Sequence, residues 1–203
     1  MRSIFSPLRF DWKIVLITVV STLLIMVDSY HWFTDRKDID RAILYLLVPL
    51  FVIIFIFREA PKEYGFALGN WRAGLLLTLG SIVLMTPIIW FLGSRDASMQ
   101  NYYQGDLSGL ALHGFLELIG WEFMFRGWML FGYARKFGPD ALWLQAVPFA
   151  LAHVGKPEIE TLSTIFGGFV FGWIAYRTRS FLYPFLIHWY IFSLVVYVSS
   201  RSI

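Results

Sequence analysis

Long apolar runs are the feature that most constrains how this chain can fold. Lipid offers no hydrogen-bond partner to a backbone, so only helices and closed barrels cross a bilayer, and a crossing helix needs about 20 apolar residues. The sequence therefore predicts an all-α, polytopic membrane helix bundle, one domain over residues 1–203, with an intramembrane cavity. About seven transmembrane helices are expected, at residues 13–33, 42–57, 73–93, 108–134, 141–154, 161–176 and 180–200.

Composition agrees with a chain that lipid solvates. Hydrophobic residues make up 58% of the sequence and charged residues 15%, whereas soluble domains have about 45–50% apolar and 25% charged residues. The net charge of +3 is small, and the basic residues lie between apolar runs rather than in one block. A lipid bilayer is therefore an expected partner and a nucleic acid is not. Cysteine is absent, which excludes disulfides, thiol catalysis and thiolate metal sites.

The orientation follows from the charged loops. The first apolar run comes after Arg2 and Arg9 and has no small-residue cleavage site behind it, so we interpret it as an uncleaved membrane helix. Ten Lys and Arg residues lie in loops on the amino-terminal side of the predicted bundle and six on the other side. The bias predicts an amino terminus in the cytoplasm.

The fourth apolar run contains three charged residues, Glu117, Glu122 and Arg126. A charge near the middle of a bilayer costs roughly 3 kcal/mol or more, and such residues usually serve function. Glu122 and Arg126 are four residues apart, so on a helix they share one face and can pair. A purely structural pair that fixes the helix is the alternative interpretation.

Two histidines lie inside other apolar runs. His153 follows Pro148 and shares a helix face with Phe149, and His188 follows Pro184 by about one turn. A proline inside a helix frees a carbonyl and bends the helix. We therefore expect two bent helices that open a wet cavity at mid-depth.

One carboxylate and two imidazoles support two kinds of chemistry. A carboxylate removed from water becomes a competent base for activating a water molecule, and an imidazole can donate a hydrogen bond to a developing oxyanion. Glu122, His153 and His188 together form a minimal set for peptide hydrolysis. The same three residues could instead bind zinc, with a water completing the site.

At these residues the chain resembles the CAAX-protease and bacteriocin-processing family of glutamate-type intramembrane proteases. The family motifs are Glu-Glu-x-x-x-Arg, Phe-x-x-x-His, and His-x-x-x-Asn or Asp, on successive membrane helices. They align with Trp121-Glu122-Phe-Met-Phe-Arg126, Phe149-Ala-Leu-Ala-His153 and His188-Trp-Tyr-Ile-Phe192, within residues 108–195. The resemblance implies a metal-free protease without cofactor, in the bacterial inner membrane, that takes a protein or peptide substrate from the membrane.

Two positions depart from the family pattern. Trp121 replaces the glutamate to which the family assigns water activation, and Phe192 replaces the final Asn or Asp. Glu122 can itself be the base, or Glu117, one turn before Trp121, can supply the missing carboxylate. A third alternative is a catalytically impaired relative.

Three functions follow from these alternatives. The leading hypothesis is an intramembrane endopeptidase in which Glu122 activates water, Arg126 orients it, and His153 and His188 stabilise the oxyanion. The second is a bacteriocin-immunity or partner-binding membrane protein. The third is a small transporter or proton pathway, against which the lack of an inverted hydropathy repeat counts. The polar segment 156–160 is expected to line the mouth of the cavity.

Overall fold

The protein is an assembly of helices with no strand among the residues described. A computed structural model describes residues 7–31, 33–104, 107 and 109–201. The helices are α1 (Trp12–Tyr30), α2 (Lys37–Phe57), α3 (Trp71–Gly93), α4 (Ala97–Tyr102), α5 (residues 110–137), α6 (Ala141–Leu151), α7 (Glu158–Thr178) and α8 (Leu182–Arg201), with 3₁₀ turns at Pro61–Tyr64 and Gly138–Asp140.

Five of these helices are long and apolar enough to cross a bilayer, namely α1, α2, α3, α7 and α8. The helices at the other two predicted spans do not meet this criterion, for separate reasons. Helix α5 is long enough, but it contains too many charged residues for an apolar membrane span. Helix α6 has 11 residues, which at 1.5 Å per residue gives about 16 Å, roughly half the hydrocarbon thickness. The all-α class is confirmed, and the exact number of crossings stays a prediction.

Two polar stretches that we expected to be loops are partly helical. Helix α2 begins at Lys37 rather than at residue 42, because Asp40 turns its carboxylate back onto the preceding turn. Its oxygens accept hydrogen bonds from the backbone N–H groups of Phe33 and Thr34 at 3.0 and 3.1 Å. Helix α4 forms inside the predicted loop 94–106, with Asp96 as its N-cap. The predicted start of the fourth span at residue 108 lies outside the described residues.

The expected bend at Pro184 is wrong. Helix α8 begins at Leu182, so Pro184 lies in its first turn, where a backbone N–H has no helical partner to lose. Pro148 does lie inside α6. His153 comes just after that helix, in a turn, rather than within the predicted span.

Close helix contacts at glycines hold the bundle together. Helices α6 and α7 meet at Gly168 and Gly172, where an added Cβ would lie 3.0 Å from Phe149 and 2.5 Å from the Gln145 amide nitrogen. Gln145 is fully buried and donates to the Gly168 carbonyl at 2.8 Å. This close approach through a pair of small residues fixes the helix that precedes His153.

One end of the bundle is tied by a group of ions around Glu59. Lys13 at the start of α1 and Arg135 near the end of α5 contact its carboxylate at 2.6 and 2.7 Å. The Tyr64 hydroxyl donates to it at 2.6 Å. Burial raises the pKa of Glu59, but the hydrogen bonds from Lys13, Tyr64 and Arg135 outweigh that effect and lower it to about 2.

The ion pairs of Glu59 are expected to make part of the free energy of unfolding depend on pH in the acid range. Because the folded pKa of Glu59 lies below its usual value of 4.5, its contribution is complete above pH 4.5 and is lost as the pH falls toward 2. We expect the difference in thermal unfolding temperature between wild type and Glu59→Gln to be large at pH 6 and to vanish near pH 2. Measured in detergent, a difference that stays constant over this range contradicts the assignment. The exposed Glu158→Gln variant is the control.

Candidate active site

The central part of α5 carries the first two site residues. Its α-helical turns end at Glu122, and a wider π-helical stretch runs over Phe123–Met129. Local π turns are frequent at functional sites because they alter which side chains share a face. Glu122 and Arg126 are both fully buried, so the helix turns both charges into the protein rather than toward lipid.

Glu122 contacts two groups through one oxygen. Its Oε1 lies 2.6 Å from Nδ1 of His188 on α8 and 3.2 Å from Nη1 of Arg126. A carboxylate accepts, so His188 carries its proton on Nδ1 in this contact. The Arg126 contact is ionic and is not aligned as a hydrogen bond, since none of the three guanidinium nitrogens has a hydrogen-bond partner in the described part of the chain.

His153 approaches from the turn after α6. Its Nδ1 lies 2.7 Å from the Phe149 carbonyl oxygen. A carbonyl only accepts, so Nδ1 carries the proton and Nε2 of the neutral ring is an acceptor. The rings of His153 and His188 are 6.4 Å apart and close to parallel, at 27°. Residues from α5, α8 and the end of α6 therefore meet at one place.

Aromatic rings enclose the charged groups. The Arg126 guanidinium carbon lies 3.8 Å from the Phe149 ring centre and 5.3 Å from that of Phe171 on α7. Phe171 also contacts the His188 ring at 5.5 Å. A cation over aromatic faces gains up to about 2 kcal/mol when desolvated, which helps to hold a guanidinium in this apolar setting. No sequence pattern pointed to Phe171.

Several buried polar atoms of the site have no hydrogen-bond partner among the described residues: Oε2 of Glu122, Nε1 of Trp121 and the guanidinium nitrogens of Arg126. Each such atom, if left dry, costs about 1–3 kcal/mol. Proteins place water or polar groups of a substrate against such atoms. The arrangement thus offers both donors and an acceptor for a polar ligand.

Glu117 lies in a different group. Its Oε1 contacts Nη1 of Arg41 on α2, and Arg41 also binds Asp28 of α1 at 3.0 Å. Arg41 lies between two of the predicted spans, and the sequence analysis does not identify it. The available signal was Asp28, a carboxylate inside an apolar run, which requires a cationic partner.

Phe192, at the position where the family motif ends in Asn or Asp, serves packing. An added Cβ at Gly114 of α5 would lie 2.9 Å from its ring, and its ring centre lies 6.5 Å from that of Tyr103. The glycine makes room for the large side chain between α5 and α8. Phe192 offers no polar atom to a reaction.

The segment after His153 forms its own contacts. Lys156 pairs with Glu160 at 2.9 Å, and the Tyr103 hydroxyl donates to Glu160 at 2.6 Å. The Thr161 hydroxyl donates to the His153 carbonyl at 2.9 Å. These contacts attach the start of α7 to the turn that carries the histidine. The role of residues 156–160 at a cavity mouth stays a prediction.

Neither a metal site nor the predicted cavity is evident in the part of the chain described. Over these residues no three His, Asp or Glu side chains converge as metal ligands would. One surface cleft of about 520 Å³ lies on α3 around Trp90 and Arg95, and one of about 440 Å³ lies on α1 around Trp12. Neither contains a residue of the Glu122 site, so the cavity stays a prediction.

The fold and the buried group define the class of the protein: a polytopic helical membrane protein with an internal Glu–Arg–His–His site. Residues 104–193 match the family model described as Rce1-like, type II CAAX prenyl endopeptidase Rce1-like. This match confirms the predicted resemblance over the segment that carries the three motifs. No curated protein and no solved structure matches the chain.

Proposed function

We propose that the protein is an intramembrane endopeptidase that hydrolyses a peptide bond of a membrane-associated substrate. The family match supports a protease of the CAAX type. The observation that carries the assignment is the 2.6 Å contact between Glu122, which is fully buried, and His188, which is 12% exposed, beside His153. Buried acid–imidazole contacts of this kind are typical of catalytic sites.

The roles of Glu122 and His153 follow from which of their atoms are free to form a hydrogen bond with water. Oε1 of Glu122 is occupied by His188, so Oε2 is the oxygen that accepts a proton from water. The acceptor Nε2 of His153 is suited to hold the same water in place. This role differs from oxyanion stabilisation, which we had assigned to His153 and which requires a donor on Nε2.

Proton and charge balance in this scheme. Glu122 removes a proton from water while the water oxygen forms a bond to the substrate carbonyl carbon. The negative charge passes from the carboxylate to the substrate oxyanion. His188 already donates Nδ1–H to Glu122, so stabilisation of the oxyanion by this ring requires a second proton, on Nε2. When the C–N bond breaks, protonated Glu122 returns the proton to the leaving amine.

The function is tested by oxygen labelling. The probe is a quenched peptide with a carboxyl-terminal CAAX sequence, prenylated or not, in liposomes that contain the purified protein. We expect cleavage in H₂¹⁸O to place one ¹⁸O in the new terminal carboxylate, and hydroxylamine to trap no hydroxamate.

The native substrate needs a second, unbiased assay. Labelling of new protein termini in membranes that contain wild type or Glu122→Gln, expressed at equal levels, detects any cleaved protein. A terminus that depends on Glu122 supports the endopeptidase. If neither assay finds a Glu122-dependent product, the protein does not act as a protease. Detection of a hydroxamate would show that the reaction passes through a covalent acyl-enzyme rather than through direct attack by water.

A further inference from the structure

A second ionic group, partly buried, contacts Trp121. Arg41 of α2 binds both oxygens of Asp28 through Nε at 3.1 Å, binds Oδ2 through Nη2 at 3.0 Å, and reaches Glu117 through Nη1. The Arg41 side chain is 13% exposed. One guanidinium thus joins α1, α2 and α5, and its plane is fixed by two carboxylates.

A glycine permits this arrangement. At Gly120 of α5 an added Cβ would lie 2.7 Å from the Arg41 carbonyl oxygen and 3.2 Å from the Ala42 Cα. Only glycine allows the backbone of α2 to come so close at this point. The close approach brings the guanidinium over the next residue of α5, with its carbon 4.6 Å from the Trp121 ring centre.

Trp121 contacts both the ionic group and the candidate site. Its ring lies near Arg41 and near Tyr45, whose ring centre is 5.4 Å away. It also meets His153 at 5.6 Å and 83°, and Phe149 at 6.4 Å. The Trp121 side chain has only two rotatable bonds, so contacts with these four neighbours hold its orientation.

We propose that Arg41 is a positioning residue that, through Trp121, fixes the His153 ring for catalysis. Trp121 stands where the family motif has its first carboxylate, so this chain replaces a charged group by an indole clamped by a cation. The planar guanidinium of Arg41 packs against the Trp121 ring, and the carboxylates of Asp28 and Glu117 fix the orientation of that plane. This inference rests on the proposed function for its kinetic readout but not for its spectroscopic one.

The kinetic test is a double-mutant cycle with Arg41→Met and Trp121→Leu. We expect Arg41→Met to lower kcat about tenfold and to change KM less than twofold. The double variant is expected to be no slower than the slower single variant, because both changes remove the same support. Arg72→Met is the matched control, since Arg72 stacks on the exposed Trp71 at 5.4 Å and is expected to keep wild-type kcat.

Two further measurements keep the proposal testable if Arg41→Met fails to fold. Arg41→Lys retains the charge for Asp28 and Glu117 but has no plane for Trp121, and we expect it to lose most of the same kcat. The imidazole ¹⁵N signals of His153, assigned through His153→Ala, are expected to shift in Arg41→Lys and not in Arg72→Met.

The outcomes separate this inference from the proposed function. Full kcat in Arg41→Lys, additive effects in the cycle, or unchanged His153 signals each overturn the positioning role while leaving the protease intact. If wild type cleaves nothing but the His153 signals still shift in Arg41→Lys, the positioning role stands and the protease assignment fails.

Discussion

Replacing Glu122 by Gln, or His153 by Ala, is expected to lower kcat/KM for peptide cleavage at least about 100-fold, and up to about 10,000-fold. Glutamine keeps the shape and can still accept from His188, but it cannot take a proton from water. Alanine at 153 removes the Nε2 acceptor that holds the water. Initial rates are measured on reconstituted protein at several substrate concentrations, with expression and folding matched.

Two control variants use the same substitutions away from the site. Glu63→Gln and His31→Ala change exposed residues and are expected to keep the wild-type rate. A third variant, Glu117→Gln, resolves the alternative base: a loss as large as that of Glu122→Gln makes Glu117 the base, whereas a smaller loss fits its role as partner of Arg41. Unchanged cleavage in both Glu122→Gln and His153→Ala rejects the mechanism in which Glu122 activates water.

Replacing Gly69 by Ala is expected to destabilise the protein by about 2–4 kcal/mol. Gly69 has φ +52°, in the left-handed region, which costs an L-residue roughly 1–2 kcal/mol. Its added Cβ would also overlap the Thr178 carbonyl oxygen and lie 3.1 Å from the Arg179 backbone. These are backbone atoms, so no side chain can move aside. The loss is read from chemical or thermal unfolding in detergent.

Gly80→Ala is the matched control for that substitution. Gly80 lies within α3, and a Cβ there meets nothing within 4 Å. Alanine favours a helix over glycine by about 1 kcal/mol, so we expect equal or slightly higher stability. If Gly69→Ala unfolds at the wild-type midpoint, the contact between the start of α3 and the end of α7 is not tight.

The sequence predicted the helical class, and it predicted that Glu122, Arg126, His153 and His188 lie close together, because both depend on local signals. Apolar runs indicate helices, and polar side chains inside such runs indicate a shared internal site. The catalytic roles of these residues stay a prediction. Contacts between distant segments have no such signal. Arg41 looked like a loop residue because the turn made by Asp40, which extends α2, depends on backbone groups seven residues away in the chain.

The predicted helix boundaries differ from the observed ones for a related physical reason. A proline predicts a bend only if the helix already continues on both sides, and nothing local showed that α8 begins two residues before Pro184. The tautomers of the two histidines were also beyond the sequence. They depend on whether a carbonyl or a carboxylate lies opposite Nδ1, which only the packed helices decide.

The shortness of α6 bears on where the proposed protease would cut its substrate. Its 11 residues begin near the basic end of α5 and cover about 16 Å. If that basic end lies at the membrane surface and α6 runs along the bilayer normal, the turn with His153 comes roughly halfway through a 30 Å hydrocarbon layer. A transmembrane substrate would then have to unwind within the layer, whereas a lipid-anchored tail would have to reach about 15 Å below the surface.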